Sequence, residues 1–297
     1  MTETKNAIDI RHDAEAAAAQ FPALLVEAER IAQTVAAGLH GRRRAGPGET
    51  FWQHRPYSFG DPVSAIDWRQ SAREASRLYV RENEWEAAAA VYLWRDPSQS
   101  LKFTSLKSVP EKRYRADILA VALTILLSQA GERIGILGED RRTFHGRSAP
   151  NRLLEALLLD TNDASAPPPA HPPAGARIVM FSDFYTDLEA VDGAVKALAG
   201  AGAHGALIQL CDPAEEDFPY RGRVEFRDTE STERLTFGDA AAMNEAYKTR
   251  FSAHRGALET LTRQAGWTFI THRTDKPAHN ALLALFTALG DMRRWVA

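Results

Sequence analysis

The sequence predicts an α/β fold in which a doubly wound, mostly parallel sheet carries helices on both faces. Short uninterrupted apolar runs, typical of strands buried on both faces, recur between residues 88 and 271. Stretches with apolar residues at three- and four-residue steps, typical of amphipathic helices, lie between these runs. Because strands that alternate with helices form parallel βαβ units, the two observations together predict this class.

Composition and charge narrow the class of protein. The chain has 297 residues, of which 44% are hydrophobic and 25% are charged, as in globular proteins with a sizeable core. Its net charge of -3 argues against nucleic-acid binding through bulk charge. No apolar run approaches the roughly 18 residues of a membrane span. The N-terminal residues lack a signal-peptide pattern, and the single cysteine, Cys211, fits a reducing compartment. We therefore expect a cytoplasmic protein that neither binds nucleic acid nor inserts into a membrane.

The first predicted element is a helix that begins near Pro22, a residue suited to a first helical turn. Its apolar residues follow at three- and four-residue steps until glycines end the pattern. The apolar positions are Leu24, Ala28, Ile31, Val35 and Leu39, and the glycines are Gly38 and Gly41. Because an isolated helix of this length is marginal, we expect it to dock on the rest of the chain.

The following segment, residues 41–81, is rich in arginine and shows neither a strand nor a helix period. We predict an irregular segment that packs on the core together with the N-terminal helix. Residues 1–85 would then form an N-terminal part and residues 86–297 the α/β domain, with both parts belonging to one structural unit.

The α/β domain is organised around residues 86–100. The apolar run from Ala88 to Trp94 predicts a central strand, which the Asp96-Pro97 pair ends. Further strands are predicted at 133–137, 177–181, 206–210 and 267–271, with an antiparallel edge strand at 141–145 and a hairpin across 223–237. Helices are predicted at 114–131, 151–159, 188–198 and 247–265, and a last one after Pro277. Residues 164–175 are rich in proline and predict a surface loop.

Oxygen-bearing side chains follow two of the predicted strands. Asp96, Ser98 and Ser100 follow the central strand, and Asp183 follows the strand at 177–181. In open α/β sheets, ligands bind at the carboxyl ends of the strands. Carboxylate and hydroxyl oxygens suit Mg²⁺ or Mn²⁺ rather than Zn²⁺. These four residues therefore predict a metal site, with the alternative that Asp96 and the serines only cap the following loop through local hydrogen bonds.

An ordered set of residues resembles the signature of the DUF58 family. The set comprises Phe51, Arg55-Pro56-Tyr57, Gly60-Asp61, Ile66-Asp67-Trp68, Ser71-Ala72-Arg73 and Tyr79-Val80-Arg81-Glu82, followed by Asp96, Ser98 and Ser100. The resemblance covers about residues 24–290. It implies a fold like that of von Willebrand factor A (vWA) domains and a genomic association with MoxR-type AAA+ ATPases.

The resemblance also implies what the four oxygen-bearing residues do. In vWA domains they form a metal-ion-dependent adhesion site, at which a carboxylate of the partner completes the metal's coordination. Asp96, Ser98 and Ser100 match that motif residue by residue, and Asp183 matches its later aspartate. The motif also has a threonine between these segments, for which Thr161 is the nearest candidate here.

The signature residues upstream have two interpretations. Charged, aromatic and turn residues are mixed in this set, which consists of Arg55, Tyr57, Asp61, Asp67, Trp68 and Arg73. They would either form a polar network that holds the segment together or a surface that binds a partner, since Arg, Tyr and Trp dominate binding hot spots.

Three functions remain open from the sequence. The first is a non-enzymatic protein-interaction module, bridged to its partner by a metal ion and working with a MoxR-type AAA+ ATPase. The second is a metal-dependent hydrolase that uses Asp96 and Asp183, for which no catalytic base can be named. The third is a scaffold whose metal site is degenerate.

Overall fold

The computed structural model describes residues 23–36, 51–58, 63, 66–73, 77–83, 90–139, 142–227 and 234–292. The chain divides into two compact units. The larger unit is Met1–Gly41 with Ala89–Ala297, and the smaller is Arg42–Ala88. The N-terminal helix therefore groups with the sheet, whereas the sequence analysis grouped it with the signature segment; the domain division itself stays a prediction.

The larger unit is built on a six-stranded sheet. Its strands are β3 (Ala90–Arg95), β4 (Arg133–Ile136), β5 (Thr143–Phe144), β6 (Arg177–Ser182), β7 (His204–Cys211) and β10 (Thr268–Arg273). They lie in the order β10-β7-β6-β3-β4-β5. All neighbouring pairs are parallel except β4 and β5, which are antiparallel. The mostly parallel sheet and the antiparallel edge strand confirm the prediction.

Helices cover both faces of this sheet. They are α1 (residues 23–36), α3 (Lys112–Gln129), α4 (Ala149–Leu159), α5 (Leu188–Gly200), α7 (Asn244–Gln264) and α8 (Ala278–Met292). A short helix, α6 (Pro213–Asp217), follows β7. One buried cluster joins apolar side chains of α1, α3, α4 and α8 to the sheet, and a second joins those of α5 and α7 to the opposite face. Helix α3 is apolar on nearly all sides because it lies inside the first cluster. The doubly wound α/β class, with helices on both faces of a mostly parallel sheet, is thus the fold of this unit.

The chain order of the strands reverses between β3 and β6. From β3 the chain passes outward to β4 and β5, whereas β6 leads to β7 and β10 on the other side. Arg95 pairs with Phe181 in the parallel register, and the backbone N–H of Asp96 donates to the Phe181 carbonyl over 2.9 Å. The ends of β3 and β6 therefore lie side by side at a topological switch point, where doubly wound folds bind ligands.

Two short antiparallel pairs complete the structure. In the smaller unit, β1 (Phe51–Pro56) pairs with β2 (Tyr79–Asn83), and the short helix α2 (Trp68–Ser71) lies between them in sequence. In the larger unit, β8 (Val224–Arg227) and β9 (Arg234–Phe237) form the predicted hairpin. The β1–β2 pair differs from the predicted irregular segment, because neither strand alternates apolar and polar residues and a long stretch of chain separates them. No helix among the described residues is both long and apolar enough to span a membrane.

Candidate functional site

Asp96 lies at the end of β3 with both carboxylate oxygens engaged. Its Oδ1 accepts a hydrogen bond from the backbone N–H of Ser98 over 2.9 Å, which forms a tight turn directly after the strand. Its Oδ2 accepts a hydrogen bond from the hydroxyl of Ser182 over 2.5 Å. The Ser182 hydroxyl in turn accepts from the backbone N–H of Phe184 over 2.7 Å. Asp96 therefore ties the ends of β3 and β6 together.

The two serines of the predicted site lie in the turn that follows β3. Ser98 is fully buried and Ser100 is half-buried. Their hydroxyl oxygens are 2.9 Å apart and share one hydrogen bond. Of the local hydrogen bonds that the sequence analysis offered as the alternative, the one from the Ser98 backbone N–H to Asp96 is present, whereas the Ser98 side chain makes no capping hydrogen bond to the short helical turn that follows it.

Asp183 follows β6 and pairs with a lysine that the sequence analysis did not include. The Nζ atom of Lys112, at the start of α3, lies 2.7 Å from Asp183 Oδ2. Asp183 Oδ1 accepts a hydrogen bond from the backbone N–H of Tyr185 over 3.1 Å. The side chains of Lys112 and Asp183 are each only 1% exposed. The ion pair is therefore withdrawn from bulk water.

A second carboxylate, Glu215 of α6, completes the ion cluster. Its Oε1 lies 2.6 Å from the same Lys112 ammonium. Its Oε2 accepts from the backbone N–H of Asp212 over 2.7 Å, as part of a capping box at the start of α6. Since Asp212 directly follows β7, the cluster joins the ends of β6 and β7 to the first turn of α3.

Two aromatic rings cover the lysine. The ring centroid of Tyr185 lies 5.1 Å from Lys112 Nζ, and that of Phe103 lies 5.7 Å from it. Phe184 has a left-handed backbone with φ of 57°, a strained conformation for a non-glycine residue. Nε2 of His254 donates to the Phe184 carbonyl over 2.9 Å and so holds this turn. The strained turn positions the Tyr185 ring over the ammonium.

Burial and neighbouring charges shift the proton affinities of the site. The pKa of Asp96 is raised from 3.8 to about 6, mainly by burial and also by the charge of Asp183, against opposing hydrogen bonds from Ser182 and Ser98. Burial alone would lower the pKa of Lys112, but Asp183 and Glu215 raise it above its usual value. Burial likewise raises the pKa of Glu215, although Lys112 opposes that shift. Lys112 is therefore permanently charged at neutral pH.

As arranged, these residues do not fit a divalent cation. Mg²⁺ requires several oxygen ligands at about 2.1 Å in octahedral geometry. Asp183 instead directs one oxygen to an ammonium and the other to a backbone N–H, and both oxygens of Asp96 accept hydrogen bonds. Within the described part of the chain, no three His, Cys, Asp or Glu side chains cluster closely enough to hold a metal. The predicted metal-binding role of the four residues stays a prediction.

Thr161, the predicted additional ligand, is exposed in the loop that follows α4. This loop approaches the candidate site through another pair, since the side-chain amide of Gln99 donates to Asp163 Oδ1 over 3.0 Å. The loops after β3 and α4 are therefore neighbours.

The signature residues of the smaller unit have separate local roles. Asp67 caps α2, where its Oδ1 accepts from the backbone N–H groups of Arg69 and Gln70 over 3.0 Å each. Its Oδ2 lies 3.0 Å from His54 Nε2. These contacts form a small polar network of the kind predicted for the segment.

The other described signature residues lie in or close to β1 and α2. The backbone N–H of Tyr57 donates to the Leu78 carbonyl over 2.8 Å, and Arg55 lies in β1. Trp68 and Arg73 are exposed, Trp68 by 60%. Asp61 lies outside the described residues. Whether this set binds a partner stays a prediction.

Lys112, Ser182 and Glu215 were not predicted from the sequence. Ser182 stands directly before Asp183, so the polar pair that ends the apolar run was visible. Glu215 carried a second signal, because Asp212-Pro213-Ala214-Glu215 is a capping-box pattern. Lys112 had no local signal, since a lysine at the start of a predicted helix is usually a solvated residue.

Proteins from mycobacteria are similar to this chain. A protein of Mycobacterium bovis and one of Mycobacterium tuberculosis strain H37Rv are each 27% identical to it over 257 residues. In both cases the match covers 78% of this chain and 76% of the relative. Both relatives are described only as uncharacterized proteins.

Two solved structures from Bacteroides show a distant likeness. BatB of Bacteroides thetaiotaomicron is 12% identical with a TM-score of 0.38, over 70% of this chain and 100% of that one. An aerotolerance-related membrane protein of Bacteroides fragilis is 14% identical with a TM-score of 0.41, over 69% of this chain and 100% of that one. Likenesses at this level do not bear on function.

A family model gives the family directly. The model described as "Protein of unknown function DUF58" matches residues 53–257, which is more than half of the chain. The matched range contains the signature residues from Arg55 to Glu82, both strand ends of the switch point and the Lys112 cluster. The chain belongs to the DUF58 family.

Proposed function

We propose that this protein is a non-enzymatic protein-interaction module that binds its partner at the carboxyl edge of the six-stranded sheet. The observation that supports the proposal is that the carboxylates at this edge are buried and fully hydrogen-bonded. Asp96 and Asp183 are each 1% exposed, and each of their carboxylate oxygens has a hydrogen-bonding partner. Buried groups that are paired in this way hold a surface in shape rather than attack a substrate.

The accessible surface above these groups has the character of a binding site. The loop from Phe103 to Val109 lies at this edge, because the backbone N–H of Ser105 donates to Asp212 Oδ2 over 2.9 Å. Leu106 in this loop is 53% exposed, and Tyr185 is 41% exposed. An exposed aromatic and an exposed aliphatic side chain, on loops held by buried hydrogen bonds, suit a protein partner.

The expected partner is a MoxR-type AAA+ ATPase. This expectation comes from the resemblance to the DUF58 family, whose members are commonly encoded beside such ATPases. Two lysines near the same loop, Lys102 and Lys107, are exposed and favour an acidic surface on the partner. Metal bridging is not needed for this proposal, since the contact residues are exposed side chains.

Binding to a purified MoxR-type ATPase of the same organism tests the proposal. We expect Tyr185→Ala and Leu106→Ala to weaken the complex by about tenfold or more each, as for hot-spot residues. Leu235→Ala is the matched control, because Leu235 is 59% exposed on the separate β8–β9 hairpin. Equal binding by all three variants would contradict the proposed surface.

The hydrolase alternative is distinguished in the same preparation. A hydrolase that uses Asp96 and Asp183 would turn over a generic phosphoester, and Asp183→Asn would abolish that turnover. We expect no turnover above the buffer rate, because neither carboxylate is accessible. A rate that is lost in Asp183→Asn would replace the interaction module with the enzyme.

A further inference from the structure

We propose that Lys112 is a resident cation: its ammonium supplies, from the chain itself, the positive charge that a divalent ion would supply at the switch point. The inference deepens the proposed function and rests on it in one respect, namely that this edge binds a partner. Its consequence is that the site is metal-independent. Three features of the cluster carry the inference.

The first feature is the geometry around the ammonium. Lys112 Nζ lies 2.7 Å from Asp183 Oδ2 and 2.6 Å from Glu215 Oε1. These are distances of strong charge-assisted hydrogen bonds, and both exceed the Mg–O distance of about 2.1 Å. Lys112 Nζ therefore lies between the two carboxylates as a hydrogen-bond donor to each of them.

The second feature is the position of Lys112 in its helix. Lys112 is the first residue of α3, where the helix dipole disfavours a positive charge. Burial of an ammonium is also costly unless the charge is paired. Local helix stability thus gives no reason for a buried lysine at this position, whereas the carboxylates of Asp183 and Glu215 do.

The third feature is the set of groups that exclude water and other ions. The Lys112 side chain is 1% exposed, and the rings of Tyr185 and Phe103 lie 5.1 and 5.7 Å from its Nζ. Aromatic faces attract a cation, and they do so more strongly where water is excluded. A divalent ion would have to displace the ammonium from this enclosed space.

The charge of the cluster is also better balanced with lysine than without it. Asp183 and Glu215 contribute two negative charges, and Lys112 neutralises one of them. A chain that lacked the ammonium would leave the buried carboxylate of Asp183 and the partly buried carboxylate of Glu215, whose side chains are 1% and 14% exposed, without this counterion. Such a pair is an oxygen-rich site of the kind that divalent cations accept, with one or two carboxylate ligands and several waters.

Metal titration of the wild-type protein is the primary test. Thermal unfolding is followed with Mg²⁺, Mn²⁺ or Ca²⁺ up to about 10 mM, against NaCl at matched ionic strength, and Mn²⁺ binding is measured by its electron paramagnetic resonance. We expect no saturable binding and no shift of the midpoint beyond the NaCl control. Saturable binding that Asp183→Asn abolishes would overturn the inference, whatever the partner experiments show.

Two variants of Lys112 test whether a divalent cation binds at the carboxylates once the ammonium is removed. Lys112→Ala opens space beside the carboxylates, whereas Lys112→Met keeps that space filled with an uncharged chain. We expect about 10 mM divalent cation to raise the unfolding midpoint of Lys112→Ala by about 3 °C, as for a site with millimolar affinity. Lys112→Met is expected to show no such rise.

The outcomes are separable from those for the proposed function. A folded Lys112→Ala protein without any metal response would contradict the inference, because the carboxylates would then not form a cation site. Should that variant fail to fold, the wild-type titration still decides. Partner binding that resists EDTA supports the metal-independent site, whereas a chain that binds no ATPase but also binds no metal refutes only the proposed function.

Discussion

Replacing Lys112 by methionine should cost the protein much of its stability. The substitution keeps the length of the side chain, so little cavity forms, but it removes the ammonium that lies 2.7 Å from Asp183 and 2.6 Å from Glu215. Removing one partner of a buried ion pair costs about 3–5 kcal/mol, because the charge that remains is uncompensated. We therefore expect Lys112→Met to lower the free energy of unfolding by about 3–5 kcal/mol at pH 7.

Equilibrium unfolding in urea measures this change, with the slope of the transition checked for two-state behaviour. Lys196→Met is the matched control, since Lys196 is 66% exposed and forms a surface pair with Asp192 at 2.6 Å. Such i,i+4 pairs contribute about 0.3–0.5 kcal/mol, so the control should unfold almost as the wild type does.

The pH dependence and a double variant sharpen the result. Without the ammonium, the lysine no longer opposes the effect of burial on Glu215, which raises the pKa of that carboxyl, so the folded chain holds this proton more tightly than the unfolded chain does. The deficit of Lys112→Met should therefore shrink as the pH is lowered, because protonation then favours the folded state. Adding Asp183→Asn to Lys112→Met should also recover part of the loss. A Lys112→Met protein within about 1 kcal/mol of the wild type at pH 7 would refute the reasoning, since a buried ion pair cannot be broken so cheaply.

Two further predictions concern the core. Burial, with a smaller contribution from Arg115, lowers the pKa of His272 from 6.5 to about 4. Between these two pH values the unfolded chain binds more protons than the folded chain. The free energy of unfolding therefore falls as the pH drops through this window. Relative to His272→Gln, the wild type should lose about 3 kcal/mol between about pH 7 and pH 4, measured by urea unfolding at each pH; parallel pH curves would contradict this. Gly205→Ala should destabilise by about 1–3 kcal/mol, because its Cβ would lie 2.5 Å from the Trp267 ring. Gly193→Ala in α5 meets nothing within 4 Å and should instead stabilise by up to about 1 kcal/mol, so equal effects of the two variants would show that the contact does not matter.

The fold was predictable because its signals are local. The run from Ala90 to Arg95 is buried at every position, as expected for a strand covered on both faces. Helices α5 and α7 followed from apolar residues spaced at three and four. The β1–β2 pair was missed for the opposite reason, since its partners lie far apart in sequence and carry no alternating pattern.

The candidate site was predictable only in part. Asp96 and Asp183 were found because each follows an apolar run, and ends of parallel strands meet at one edge. Their hydrogen-bonding partners were not all visible, since the use of an oxygen depends on which donor lies nearest in space. The two hydrogen bonds to Asp96 illustrate the difference. The bond from the Ser98 backbone N–H is local in sequence, whereas the bond from the Ser182 hydroxyl joins residues 86 positions apart.

The sequence by itself determined the order of strands and helices along the chain and the oxygen-rich strand ends, because apolar periodicity and terminating residues act over a few positions. The order of the strands within the sheet, and with it the switch point, came only from the tertiary structure. Only the tertiary structure decided what neutralises Asp183. Lys112 is 71 residues from Asp183 and 103 residues from Glu215 along the chain. No local pattern encodes such a meeting, because it arises when strand ends and a helix start converge on one point of the folded sheet.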